Sequence, residues 1–111
     1  MGLIELIAAH RARVGIIGQG YVGLPLSLLF AEAGFPVIAF DIDPTKVDAL
    51  NNGRSYIAHV GSERVASARN KAADFHATTD FSELSGCDAI LICLPTPLGK
   101  HREPDLSYVL P

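Results

Sequence analysis

The sequence predicts an α/β fold, a parallel sheet of four strands covered by helices on both faces. Apolar runs typical of buried strands alternate with helical segments along the chain. The glycine pattern G-x-G-x-x-G, Gly18 to Gly23, lies directly between the first strand and the first long helix. An acid, Asp41, closes the second strand about 20 residues further on. With right-handed crossovers the strand order is 3-2-1-4, a Rossmann-type sheet truncated after its fourth strand.

Size and composition fit one domain, residues 1–111. The chain is 49% hydrophobic and carries a net charge of −3 with dispersed basic residues, so no basic surface for nucleic acid is expected. The histidines and cysteines lack metal-ligand spacing, which predicts no metal site. Cys87 and Cys93 are predicted to be buried, reduced thiols of a cytoplasmic protein, since no secretion signal is recognisable.

The first half of the chain contains two predicted helices and two strands. A short amphipathic helix covers Leu3 to His10, and the first strand covers Val14 to Ile17. The first long helix extends from Tyr21 to Ala33, where Gly34 provides a left-handed stop. The second strand covers Val37 to Asp41.

The second crossover begins with a strong helix signal. Asp43 precedes Pro44, a capping residue followed by proline at the first helical position. This helix ends at Asn51-Asn52-Gly53, and a second helix follows over Ser62 to Ala72. The third strand is predicted over Phe75 to Thr79.

The last predicted strand is Ala89 to Leu94, after one helical turn at Phe81 to Leu84. Its uninterrupted apolar run is typical of a central parallel strand buried on both faces. Pro95-Thr96-Pro97 end the strand, and Pro104 to Ser107 would begin another helix.

A membrane span is the main alternative for the apolar stretch from Val14 to Ala31. This stretch carries no charged side chain and has about the length of a spanning helix. Its glycines and Pro25 interrupt the run, however, and favour a strand, a turn and a helix. A soluble protein without a membrane contact is therefore expected.

The glycine turn predicts a dinucleotide site. Gly18 allows the tight turn, Gly20 lets a pyrophosphate approach the backbone, and Gly23 lets the helix pack on the strand. The N–H groups at the helix N-terminus attract the phosphates. Asp41 would accept hydrogen bonds from the adenosine ribose and repel the extra phosphate of NADP, which predicts NAD. Lys46 is the only nearby cation, either a ligand contact or a solvated helix residue.

With these residues in place, the chain resembles the NAD-binding domain of the UDP-glucose/GDP-mannose dehydrogenase family. The resemblance rests on four segments: Gly18 to Pro25, Asp41-Ile42-Asp43 with Lys46-Val47, Thr78-Thr79-Asp80, and Pro95-Thr96-Pro97. Within the family, Ser55-Tyr56-Ile57-x-His59-Val60 and the segment from Pro95 to Ser107 resemble the UDP-N-acetylglucosamine 6-dehydrogenase branch, although Ala58 replaces an acid often found there.

The resemblance implies an oxidoreductase that oxidises the C6 alcohol of a nucleotide sugar to a carboxylate with two NAD, for surface polysaccharide precursors. It assigns the pyrophosphate to residues 18–23, the adenosine ribose to Asp41, the outer adenosine edge to Lys46 and the nicotinamide-side ribose to residues 94–96. The implied cofactor-binding residues are Gly18, Gln19, Gly20, Tyr21, Val22, Gly23, Asp41, Lys46, Leu94, Pro95 and Thr96.

The resemblance also places the nucleophilic cysteine and most of the sugar site in central and C-terminal domains absent from these 111 residues. No catalytic residue is therefore expected here, and the chain alone is predicted to be inactive, whereas the full-length enzyme is expected to be a homo-oligomer. Two alternatives stay open: a UDP-glucose or GDP-mannose 6-dehydrogenase, and a free-standing NAD-binding module without catalysis.

Overall fold

A computed structural model describes residues 2–94, which form one parallel sheet with helical crossovers. The elements in chain order are α1 Leu3–Ala8, β1 Val14–Ile17, α2 Gly23–Glu32, β2 Pro36–Phe40, α3 Pro44–Asn51, α4 Ser62–Lys71, β3 Asp74–Thr78, a 3₁₀ segment Phe81–Gly86 and β4 Ala89–Ile92. The strand order is β3-β2-β1-β4, with every neighbouring pair parallel. The predicted order is confirmed.

The main hydrophobic cluster lies on one face of the sheet, although β2 is buried on both faces. Alternate residues of the strands, such as Val14 and Ile16 in β1, point to this face and are buried. They belong to one hydrophobic cluster with Leu24 and Leu28 of α2 and with Leu50 of α3. Both crossovers, α2 between β1 and β2 and α3–α4 between β2 and β3, therefore cover the same face.

The helix signals read from the sequence are confirmed. Gly34 has φ +95° directly after α2, the left-handed stop that was expected. Asp43 caps α3, because its Oδ1 accepts a hydrogen bond from the Thr45 N–H at 2.9 Å, and Pro44 follows as the first helical residue.

The prediction for β4 is wrong in two respects. The strand ends at Ile92 instead of Leu94, and its residues alternate between half-buried and exposed instead of being buried throughout. Ile90 and Ile92 are 45% and 48% exposed. The reason is position, because β4 is an edge strand within residues 2–94. On the sheet face opposite the helical crossovers, the 3₁₀ segment packs on β2, where Phe81 contacts Phe40.

The apolar stretch that allowed a membrane alternative is divided between two elements and a turn. β1 ends at Ile17 and α2 begins only at Gly23. In the part of the chain that the structure describes, no helix reaches the length and apolarity needed to cross a bilayer.

The prediction of buried thiols is also wrong. Cys87 and Cys93 are free and partly exposed. Cys87 lies against β1, where a Cβ added to Gly15 would come within 2.7 Å of its sulfur. Both thiols are next to the sparsely covered edge strand, which explains their access to solvent.

Candidate cofactor site

A crevice of about 1100 Å³ opens at the carboxyl ends of β1, β2 and β4. Its walls include the glycine turn at residues 18–22, residues 41–43 after β2, Lys46 of α3, Tyr56 of the following loop, and residues 92–94 after β4. We call it the strand-end crevice. It lies where the strand order reverses between β1 and β4, the point at which open α/β sheets bind their ligands.

Gly18 and Gly23 allow the glycine turn to be tight. Gly18 has φ +93°, and its N–H donates to the Phe40 carbonyl at 2.8 Å. A Cβ on Gly23 would lie 1.6 Å from the Gly18 carbonyl oxygen, so no side chain fits between α2 and the turn. The expected turn and the expected close packing of helix on strand are both confirmed.

Gly20 leaves open space at the crevice. A Cβ added there would have no atom within 4 Å. The backbone N–H groups of Gly20, Tyr21 and Val22 make no hydrogen bond to any atom of residues 2–94, and the N-terminus of α2 has no side-chain cap. Open space beside unpaired N–H groups at a helix N-terminus is the arrangement that accepts a phosphate.

Asp41 is oriented by two backbone N–H groups. Its Oδ2 accepts from the Gln19 N–H at 2.8 Å and its Oδ1 from the Asp43 N–H at 2.9 Å, with 8% of the residue exposed. Each carboxylate oxygen retains a second acceptor position. Asp41 lines the same crevice as Gly20. Its carboxylate can therefore accept hydrogen bonds from a ligand, although the ribose assignment stays a prediction.

Gln19 contributes backbone, and not its side chain, to the strand-end crevice. The side chain is fully buried; its Nε2 donates to the Ile16 carbonyl at 2.8 Å, and its Oε1 accepts from the Ser27 hydroxyl at 2.9 Å. Its own N–H is already bonded to Asp41. Gln19 therefore links β1, α2 and the end of β2 at the base of the crevice.

Tyr56 lines the strand-end crevice, although it was not predicted from the sequence as a site residue. Its hydroxyl donates to the Gln19 carbonyl at 2.5 Å, and the Lys46 ammonium lies 5.7 Å from its ring centroid. Burial, and secondarily the charges of Asp41 and Asp43, raise the pKa of Tyr56, so its hydroxyl stays a donor. The sequence does contain a signal for this residue, the Ser55-Tyr56-Ile57 motif, but the motif was interpreted only as evidence for a branch of the family.

The other predicted contacts are distributed around the opening. Tyr21 and Val22 are 77% and 67% exposed, and the Tyr21 ring stacks on His59 with 5.7 Å between centroids. Leu94 lines the crevice from the side of β4. The predicted contacts Pro95 and Thr96 lie outside the described residues.

The described side chains offer no metal centre and no assigned nucleophile. Within residues 2–94 no three histidine, cysteine or acidic side chains are grouped closely enough to hold a metal ion. Cys93 lines the strand-end crevice, and burial raises the pKa of its thiol, which disfavours the nucleophilic thiolate. The residues present can bind and orient a dinucleotide.

Comparison with protein families gives one match over almost the whole chain. Residues 12–111 match the family described as "UDP-glucose/GDP-mannose dehydrogenase family, NAD binding domain". The match includes every residue that lines the strand-end crevice.

Individual relatives act on different nucleotide sugars. GDP-mannose 6-dehydrogenase of Pseudomonas savastanoi pv. phaseolicola is 35% identical over 98 residues, 87% of this chain and 22% of the relative. UDP-N-acetyl-D-mannosamine dehydrogenase of Escherichia coli K12 is 36% identical over 88% of this chain and 23% of the relative. The structure of a UDP-glucose dehydrogenase from Pyrobaculum islandicum superposes with a TM-score of 0.79 at 30% identity, covering 90% of this chain and 23% of that one. The chain thus spans less than a quarter of these relatives.

Proposed function

The chain belongs to the UDP-glucose/GDP-mannose dehydrogenase family as its NAD-binding domain, and from this premise we propose that it is the cofactor half of a nucleotide-sugar 6-dehydrogenase. Residues 1–111 would form the N-terminal part of a larger enzyme whose central and C-terminal domains carry the nucleophile and most of the sugar site.

The proposed binding mode rests on one observation: the open side of Gly20 lies beside three N–H groups that have no partner within residues 2–94, in the crevice that Asp41 also lines. We assign the pyrophosphate to the N–H groups of residues 20–22 and the adenosine ribose to the Asp41 carboxylate. Lys46 is assigned to the outer adenosine edge.

The nicotinamide half is assigned to the β4 side of the crevice. Leu94 lies there, followed directly in sequence by Pro95 and Thr96. When bound, NAD supplies the hydride acceptor, and a four-electron oxidation of a C6 alcohol to a carboxylate consumes two NAD in succession. The residues of this chain bind and orient the cofactor, and none of them is proposed as catalytic.

UDP-N-acetylglucosamine is the proposed substrate of the whole enzyme, for the synthesis of surface polysaccharide precursors. The support is sequence resemblance in Ser55-Tyr56-Ile57-x-His59-Val60 and in the segment from Pro95 to Ser107. Relatives named for GDP-mannose and UDP-N-acetyl-D-mannosamine make other nucleotide sugars the alternatives to test. A homo-oligomer in the cytoplasm is proposed for the full-length enzyme, where the free thiols would stay reduced.

Calorimetric titration of the 111-residue chain with NAD and NADP tests the cofactor assignment. We expect saturable binding of NAD, weaker binding of NADP, and no NADH absorbance on addition of UDP-N-acetylglucosamine. Turnover by this chain alone would contradict the proposal that the nucleophile and most of the sugar site lie in other domains. The full-length enzyme should then be assayed with UDP-N-acetylglucosamine, UDP-N-acetylmannosamine, UDP-glucose and GDP-mannose. A higher kcat/KM for any of the last three than for UDP-N-acetylglucosamine would overturn the substrate assignment.

A further inference from the structure

Tyr56 makes a long-range contact with the glycine turn. It belongs to the loop between α3 and α4, and its hydroxyl donates to the carbonyl of Gln19, 37 residues earlier, at 2.5 Å. The ring is partly buried and packs against the hydrophobic core. Because the core holds the ring, the hydroxyl is presented to the turn from a fixed position.

The contact controls the orientation of one peptide group. A trans peptide is planar, so the C=O of Gln19 and the N–H of Gly20 point in opposite directions. Holding the carbonyl therefore sets the direction of the Gly20 N–H, one of the three donors without a partner in residues 2–94. The preceding peptide is held as well, because the Gln19 N–H donates to Asp41.

Loss of the Tyr56 hydroxyl would release this peptide on one side. Gly20 has no Cβ to restrict its backbone and no neighbour on its open side. The Gln19–Gly20 peptide could then rotate, and its N–H would no longer be held towards a ligand. Burial raises the pKa of Tyr56, so its hydroxyl stays protonated and able to donate to the Gln19 carbonyl.

We propose that Tyr56 is a positioning residue of the NAD site, which orients the Gly20 N–H for the pyrophosphate by holding the Gln19 carbonyl. This inference rests on the proposed binding mode and deepens it. It gives the loop at residues 54–61 a role in pyrophosphate binding through Tyr56, which itself donates to the turn and not to the ligand.

The test is Tyr56→Phe in the full chain, with ligands that differ in the pyrophosphate. Binding of NAD and ADP-ribose should weaken about three- to tenfold, the effect of losing the hydrogen bond from the Gly20 N–H to the pyrophosphate. Binding of adenosine, measured by NMR titration, should change by less than twofold, because adenosine has no phosphate. An equal loss for all three ligands would indicate general damage to the crevice and would overturn the proposal, as would no loss for any of them.

Ser85→Ala is the matched control. Ser85 also donates its hydroxyl to a backbone carbonyl, that of Ser82 at 3.1 Å, but it lies outside the strand-end crevice. Its removal should leave the affinity for all three ligands unchanged. A loss with Ser85→Ala equal to that with Tyr56→Phe would overturn the proposal.

A measurement on the ¹⁵N-labelled wild-type chain covers the case in which Tyr56→Phe does not fold. ADP-ribose should shift the Gly20 amide resonance strongly and adenosine should not; the absence of that difference would overturn the inference. Failure of the wild type to bind NAD would overturn the proposed function together with the inference. If the wild type binds NAD and Tyr56→Phe binds it equally well, the function stands and the inference alone is wrong.

Discussion

The carboxylate of Asp41 and the backbone N–H of Gln19 are joined by a buried hydrogen bond of 2.8 Å. This bond connects the end of β2 to the glycine turn after β1, the two sequence features that predicted a dinucleotide site. The residue that would bind the ribose is thus also a structural support of the turn that would bind the pyrophosphate. Substitutions at Asp41 should therefore affect folding and cofactor selectivity together.

Asp41→Asn should reduce stability and cofactor discrimination. Asp41 accepts from two backbone N–H groups, and an asparagine amide would oppose one of them with a second donor. We expect a loss of about 1.5–3 kcal/mol in the free energy of unfolding. The wild type should prefer NAD over NADP by at least about tenfold through charge repulsion, and the variant by less.

Asp48→Asn is the control for charge, since Asp48 is exposed on α3. Urea denaturation and calorimetry measure both variants. An Asp41→Asn protein that keeps its full preference for NAD would contradict the assignment of Asp41 to the ribose.

Gly20→Ala should weaken NAD binding while leaving the stability of the fold nearly unchanged. An added Cβ meets nothing within 4 Å, so we expect stability within about 1 kcal/mol of the wild type. The same methyl group occupies the space assigned to the pyrophosphate, so the Kd for NAD should rise roughly tenfold or more, at least about 1.4 kcal/mol. Gly61→Ala, where a Cβ also meets nothing, should change neither quantity. Unchanged NAD affinity in Gly20→Ala would place the pyrophosphate elsewhere.

Ser27→Ala should destabilise the fold through Gln19. It leaves the buried Gln19 Oε1 without its donor, since the Ser27 hydroxyl supplies that hydrogen bond at 2.9 Å. An unsatisfied buried acceptor costs about 1–3 kcal/mol, and thermal unfolding should show Tm lowered by roughly 4–8 °C per kcal/mol. The exposed Ser85→Ala should change stability by less than about 0.5 kcal/mol. Equal Tm values for the two variants would show that the buried pair contributes nothing.

The alkylation rates of Cys87 and Cys93 should show which of the two thiols a bound NAD covers. Burial raises the pKa of both Cys87 and Cys93, so their reaction with iodoacetamide should still accelerate with pH above the pKa of a free cysteine. Cys93 lines the strand-end crevice and Cys87 does not. NAD should therefore slow the alkylation of Cys93 only, as measured by peptide mass spectrometry. Equal protection of both thiols would indicate a global effect of the ligand.

Much of the architecture was predictable because its signals are local. Asp43-Pro44 marks the start of a helix, Gly34 marks the end of one, and an apolar run of four residues indicates a buried strand. Each of these signals is formed by residues within a few positions of one another in the chain. Crossover handedness then leaves few ways to arrange the strands. The glycine turn and Asp41 were predictable for the same reason, because their spacing in the chain follows from one βαβ unit.

The contacts that were not predictable join distant parts of the chain. Tyr56 reaches Gln19 across 37 residues, and nothing in either residue type indicates that partner. The apolar sequence of β4 also gave the wrong burial, because an apolar run indicates a potential for burial and not what covers the strand.

The sequence by itself determined the order of strands and helices, the tight turn at Gly18 and Gly23, and the acid at the end of β2, since these follow from backbone sterics and local periodicity. Only the tertiary structure decided that the Gln19 side chain turns inward to Ser27, that Tyr56 holds the turn, and that β4 has an exposed face. The physical reason is that hydrogen-bond partners and burial depend on how distant segments pack, which no short stretch of sequence encodes.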